Sequence, residues 1–160
     1  MASDSPLPEP GDQTIRVEEA TEATVELLEA LRSLLPQLSS TAAELTGEEL
    51  ADLVAAPASI LLVARDREGN VLGSLTLAVF RVPTGLRAWI EDVVVDESTR
   101  GRGVGAALTE AALERAFEAG CRSVDLTSRP SREAANRLYL RLGFEARTTN
   151  VYRRTLEAPT

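Results

Sequence analysis

Residues 90–108, IEDVVVDESTRGRGVGAAL, constrain this chain more than any other stretch. An apolar run with strand character ends in a short polar linker, and Gly101, Gly103 and Gly105 then alternate into the start of a long helical pattern. Glycine lets the backbone come close to a ligand, the first-turn N–H groups of a helix have no intrahelical acceptor, and the helix dipole favours negative charge there. Arg100 and Arg102 add positive charge beside the glycines. The arrangement implies a strand–turn–helix unit that binds an anion, with a diphosphate as the natural guest.

The surrounding pattern supplies a sheet for that unit. Residues 14–18 read as a short strand, and residues 21–35 place Leu27, Leu28, Leu31, Leu34 and Leu35 at helical spacing, with Pro36 expected to end the helix. A second helix over residues 47–54 has Thr46 as its cap, Glu49 as the capping-box partner and Pro57 beyond its end. ILLVARD and VLGSLTLAVF, joined through Glu68, Gly69 and Asn70, read as neighbouring antiparallel strands, and Pro83, Thr84 and Gly85 turn the chain into a strand over residues 87–95. The helix over residues 104–119 carries Leu108, Ala112 and Ala116 on one face and Glu110, Glu114 and Glu118 on the other, with Gly120 as its cap. A strand in SVDLTS, a helix over residues 132–142 stopped by Gly143, and a closing strand or pair of strands within residues 144–156 complete the order.

With 160 residues, 44% of them hydrophobic, the chain suffices for one α/β domain, a mixed sheet covered by helices. Residues 13–157 are assigned to it. Residues 1–12, with Pro6, Pro8, Pro10 and Gly11, read as a flexible tail.

All 17 basic residues are arginine; lysine and histidine are absent and Cys121 is the one cysteine. A histidine base, a Schiff-base lysine, a disulfide and a zinc site of Cys and His ligands are therefore excluded, and no metal is expected. The 25 acidic residues bring the net charge to -8, which disfavours nucleic acid and anionic lipid and favours cationic partners. No apolar run reaches the length of a membrane span, and the chain reads as soluble and cytoplasmic.

Three readings of the glycines compete. A nucleoside triphosphate loop needs Lys followed by Ser or Thr after the last glycine, where Ala106 and Ala107 stand instead. A dinucleotide fold is formally matched by Gly101, Gly103 and Ala106, with Asp125 downstream. Against it, the strand stops five residues before the first glycine, and too little chain remains for the other parallel strands. In the third reading Arg100-Gly101-Arg102-Gly103-Val104-Gly105 fits R/Q-x-x-G-x-G/A, and with SVDLTSRPSREAANRLYLRLGFE downstream the stretch from 90 to 145 resembles the acetyl-CoA-binding half of the GNAT family of N-acetyltransferases.

The resemblance implies a mixed, mostly antiparallel central sheet flanked by helices, acetyl-CoA as acyl donor, and transfer to a primary amine by direct attack. It implies that the pantetheine arm lies between two splayed strands and bonds backbone groups at Val93, Val94 and Val95. The pyrophosphate would sit on Arg102, Gly103, Val104, Gly105 and Ala106, with Gly101 in the turn and Arg100 fixing the loop or meeting phosphate. Asn136 would contact the cofactor arm. Tyr139, three residues on and sharing its face, would donate a proton to the departing thiolate. The resemblance further suggests a homodimer. The acceptor is an amine-bearing small molecule or peptide, with a small cationic compound favoured by the acidic balance. A protein N-terminus or lysine, and a non-catalytic acyl-CoA sensor, are the alternatives.

An amine with a pKa of about 10 must lose a proton at neutral pH, a cost of about 4 kcal/mol. Glu91 and Asp92 are the adjacent acids on the relevant strand. In a regular strand they point to opposite faces, and the bulge that the resemblance suggests there would alter that parity. Glu91, acting through a water, is the preferred base, and Asp92 is the alternative. Trp89 is read as lining the acceptor pocket or as a core aromatic, and Cys121 as a small buried apolar residue.

Overall fold

A computed structural model describes residues 14–156; the flexible tail expected over residues 1–12 lies outside them. Five strands form one sheet in the order β1-β2-β3-β4-β5. They are β1 (Arg16–Glu19), β2 (Ser59–Arg65), β3 (Val71–Val82), β4 (Gly85–Val95) and β5 (Val124–Leu126). The first four pair antiparallel and β5 joins β4 in parallel. Four helices, α1 (Val25–Leu38), α2 (Gly47–Ala55), α3 (Val104–Glu118) and α4 (Glu133–Arg141), flank it.

Alternation in β2 divides the core. Leu61 and Val63 pack with Leu27 and Leu31 of α1 and Leu50 of α2 on one face. Leu62 and Ala64 pack with Leu108, Ala112 and Ala116 of α3 on the other. Successive strand residues point to opposite faces, so one strand serves both clusters. The expected apolar face of α3 is the buried one, and Glu110, Glu114 and Glu118 are exposed.

Two expectations need correction. Thr24 accepts the Leu27 amide and starts α1 there, and the helix runs on through Pro36 to Leu38. Proline removes one helical N–H near the end of α1, where the ladder is about to stop anyway, and the amide of Ser39 still reaches the Leu35 carbonyl at 3.0 Å. No closing strand forms among residues 144–156, which are exposed apart from Phe144. A strand exists only where a neighbour accepts its backbone bonds, and β5, the edge strand beside this segment, is three residues long. Among the described residues no helix is long and apolar enough to cross a membrane.

Candidate active site

Among the described residues the start of α3 stands open. Gly101 and Gly103 adopt left-handed φ of 78° and 84°, and a Cβ built on either would meet nothing within 4 Å. Gly103 is the N-cap, no side chain caps the helix, and its first turn holds no acid, whereas α1, α2 and α4 carry Glu26, Glu48 with Glu49, and Glu133 there. The amides of Val104, Gly105 and Ala106 have no intrahelical acceptor. Arg100 and Arg102 flank the turn, both exposed. Residues 100–106, singled out from the sequence, thus converge on one turn whose dipole and amides suit a diphosphate.

What seats this turn on the sheet was not legible from the glycine motif. A Cβ on Gly73 of β3 would lie 2.6 Å from the Val94 carbonyl and 3.2 Å from the Val104 side chain. Only glycine lets β3, β4 and the first residue of α3 close up this far. Gly105 in turn abuts Leu138 of α4, whose Cδ2 would be 3.3 Å from a Cβ there.

β4 carries the expected bulge. Thr76 pairs with Glu91 and Ser74 with Val94, so Asp92 and Val93 together oppose Leu75. Asp92 has φ 48°, a left-handed conformation that aspartate tolerates better than most residues. β5 pairs with Ala88, Trp89 and Ile90, and residues 91–95 have no strand partner on that side among the described residues. Val94 is buried, and Val93 and Val95 half-buried. Glu91 and Asp92 are both exposed, and the Trp89 indole N–H donates to Glu91 Oε1 at 2.8 Å.

On α4, Tyr139 is 9% exposed and meets Phe144 edge-on, with ring centroids 5.7 Å apart. Burial pushes its phenol pKa up, against a smaller opposing effect of the Arg132 charge, so the group holds its proton. Asn136 Nδ2 donates to the Arg129 carbonyl at 3.0 Å and ties the preceding loop to the helix. Trp89, Ser128, Asn136 and Tyr139 line one cleft of about 730 Å³ between β5, α4 and residues 143–151. Ser128 Oγ is buried there without a partner. Nothing in the sequence marks Ser128, because a serine after a strand is ordinary until its surroundings are known. Cys121 packs against the α3 cluster as a small apolar residue. Among the described residues, no three His, Cys, Asp or Glu side chains gather in a way that would hold a metal.

The acetyltransferase (GNAT) family model matches residues 25–144. The chain belongs to the GNAT family. A probable glucosamine 6-phosphate N-acetyltransferase of Oryza sativa subsp. japonica is 35% identical over 90% of this chain and 93% of its own length. An L-methionine sulfoximine/L-methionine sulfone acetyltransferase of Pseudomonas aeruginosa is 36% identical over 53% of this chain and 50% of its own. Among solved structures, a putative acetyltransferase from Agrobacterium tumefaciens superposes with a TM-score of 0.77 at 28% identity, covering 88% of this chain and 99% of that one. This GNAT protein is an acetyl-CoA-dependent N-acetyltransferase, and the open start of α3 and the parting of β4 from β5 fit that donor.

Proposed function

We propose that this GNAT enzyme acetylates the primary amine of a small cationic acceptor, with Glu91 as base and Tyr139 as acid. The observation that carries the reading is the bond from the Trp89 indole to Glu91 at 2.8 Å beside the point where β4 and β5 part. Glu91 lies two residues from Trp89 and ahead of the bulge, so ordinary strand alternation sets both on one face, and the indole occupies one carboxylate oxygen while the other stays available for a proton from the amine, directly or through a water. Asp125 pairs with Trp89 in register, adding a second carboxylate where a cation would approach.

Acetyl-CoA supplies an activated thioester. The residues of the chain hold and orient it: the amides of residues 102–106 for the diphosphate, with Arg100 and Gly101 shaping that turn; the backbone of Val93, Val94 and Val95 for the arm; and Asn136 beside it. Tyr139, kept protonated by its burial, donates to the sulfur as the thiolate leaves. Positioning of the amine against the thioester supplies the larger part of the rate, and the two side chains manage its protons. The relative from Oryza sativa is named for an amino sugar phosphate, so such a compound belongs in the acceptor panel with diamines and amino acid amides.

Thiol release from acetyl-CoA over such a panel tests the reading. Tyr139→Phe should lower kcat about a hundredfold and leave acetyl-CoA affinity within about twofold, and Glu91→Gln should lower kcat comparably at neutral pH. Wild-type protein that releases no thiol with any amine, or a Tyr139→Phe variant as fast as wild type, would overturn it.

A further inference from the structure

The turn that starts α3 has a support from the far side of the chain. Gln37, in the last turn of α1, accepts the Glu97 amide at its Oε1 at 2.9 Å. Its Nε2 donates to the Ser33 carbonyl at 3.3 Å and, at the long end of the range, to Asp96 Oδ2 at 3.5 Å. These bonds span 60 and 59 residues of sequence. They exist because α1 continues past Pro36 instead of ending there.

From Asp96 and Glu97 a relay of short bonds runs into the glycine turn. Asp96 accepts from the Ser98 amide at 2.8 Å and the Ser98 hydroxyl at 2.6 Å. Its carbonyl accepts from the Thr99 amide at 2.9 Å and the Thr99 hydroxyl at 3.1 Å, and Thr99 is only 5% exposed. The Thr99 carbonyl accepts the Arg102 amide at 3.3 Å. The far end of this relay is the turn at Gly101 and Gly103, and its near end rests on Gln37. α1 is a firm post, because Leu27, Leu31 and Leu34 are buried against the sheet.

We propose that Gln37 is a positioning residue for the diphosphate, holding the 3-10 turn Glu97–Thr99 in place so that the amides behind it are already aimed when acetyl-CoA arrives. This rests on the reading that residues 100–106 hold the diphosphate. Gln37 touches no ligand, and its effect is preorganisation: without it the turn samples more conformations, and ordering them is charged to binding.

Gln37→Met keeps the length and helix preference of the side chain and removes its hydrogen bonds. Gln37→Glu keeps an oxygen for the Glu97 amide but sets a carboxylate against Asp96. In ligand-free protein, amide exchange over residues 96–103 should be several-fold faster in both variants, with exchange in α1 and over residues 108–116 unchanged. Calorimetric affinity for acetyl-CoA should fall about tenfold in Gln37→Met, the scale of one lost hydrogen bond. Unchanged exchange over residues 96–103 would overturn the proposal, as would affinity within about twofold of wild type. Faster exchange throughout α1 with a lower melting temperature would also overturn it, since that marks a glutamine that only stabilises its helix. Failure of wild-type protein to bind acetyl-CoA would instead overturn the diphosphate reading, and the ligand-free exchange would still report on the support.

Discussion

At the start of α2, Thr46 accepts the Glu49 amide on its hydroxyl at 3.2 Å while Glu49 accepts the Thr46 amide on its carboxylate at 2.8 Å. At the start of α3, Gly103 has no side chain to offer, the turn before it is left-handed, and no acid follows within the first turn. Both helices face the same deficit of acceptors for their first amides. α2 meets it from its own sequence, in a reciprocal capping box. Among the described residues α3 keeps the deficit, with Arg100 and Arg102 beside it and no side chain to cap it. A helix start that satisfies itself serves the scaffold, and one left unsatisfied beside positive charge suits an anion.

The sharpest way to break the contrast is Gly103→Asp. Aspartate is strained at the left-handed φ of 84°, though less than most residues, and sets a negative charge beside the amides that a diphosphate would use. Saturable acetyl-CoA binding should vanish in calorimetry, together with the ligand's thermal stabilisation, about 2.7 kcal/mol at a hundredfold excess over Kd in wild type. Retained binding would mean that the diphosphate rests elsewhere. The reciprocal change, Thr46→Ala, should cost about 1 kcal/mol in denaturant unfolding and leave acetyl-CoA affinity untouched.

A smaller effect is expected of Gly105→Ala, whose Cβ would press on Leu138 at 3.3 Å. α4 must yield by a few tenths of an ångström, and titration should find affinity reduced by less than about tenfold with the fold intact. The smallest effect concerns pH. The Thr46 amide, and then its hydroxyl, hold the fully exposed Glu49 carboxyl below its ordinary range. A depressed pKa in the folded state adds stability that is complete above the unfolded value and fades as pH falls through the folded one. The stability difference between wild type and Thr46→Ala should therefore shrink below about pH 4 in acid titrations of unfolding.

Both helix starts were legible in the sequence because each is a local pattern. Thr46 and Glu49 lie three residues apart, and Gly101, Gly103 and Gly105 sit in a run of five. The paired strands from Ser59 to Val95 were legible for the same reason, since their turn residues and alternation are nearest-neighbour signals. The end of α1 is not legible locally, because proline is a strong local breaker, yet packing of Leu34 and the bonds of Gln37 act on the same turn from a distance. Strands within residues 144–156 were expected from local content, but a strand also needs a neighbour to accept its backbone bonds.

Sequence alone determined the order of elements from β1 to α4, the buried face of α3, the capping of α2 and the run of glycines that starts α3, all of which depend on residues within about one helical turn or one strand of each other. Tertiary structure alone decided that Gly73 admits Val104, that the Gln37 side chain accepts the Glu97 amide, that Ser128 Oγ is buried without a partner among the described residues, and that the Trp89 indole donates to Glu91. Those contacts depend on strand register and on packing between segments far apart in the chain. A shift of one residue in pairing reverses the face of every side chain beyond it.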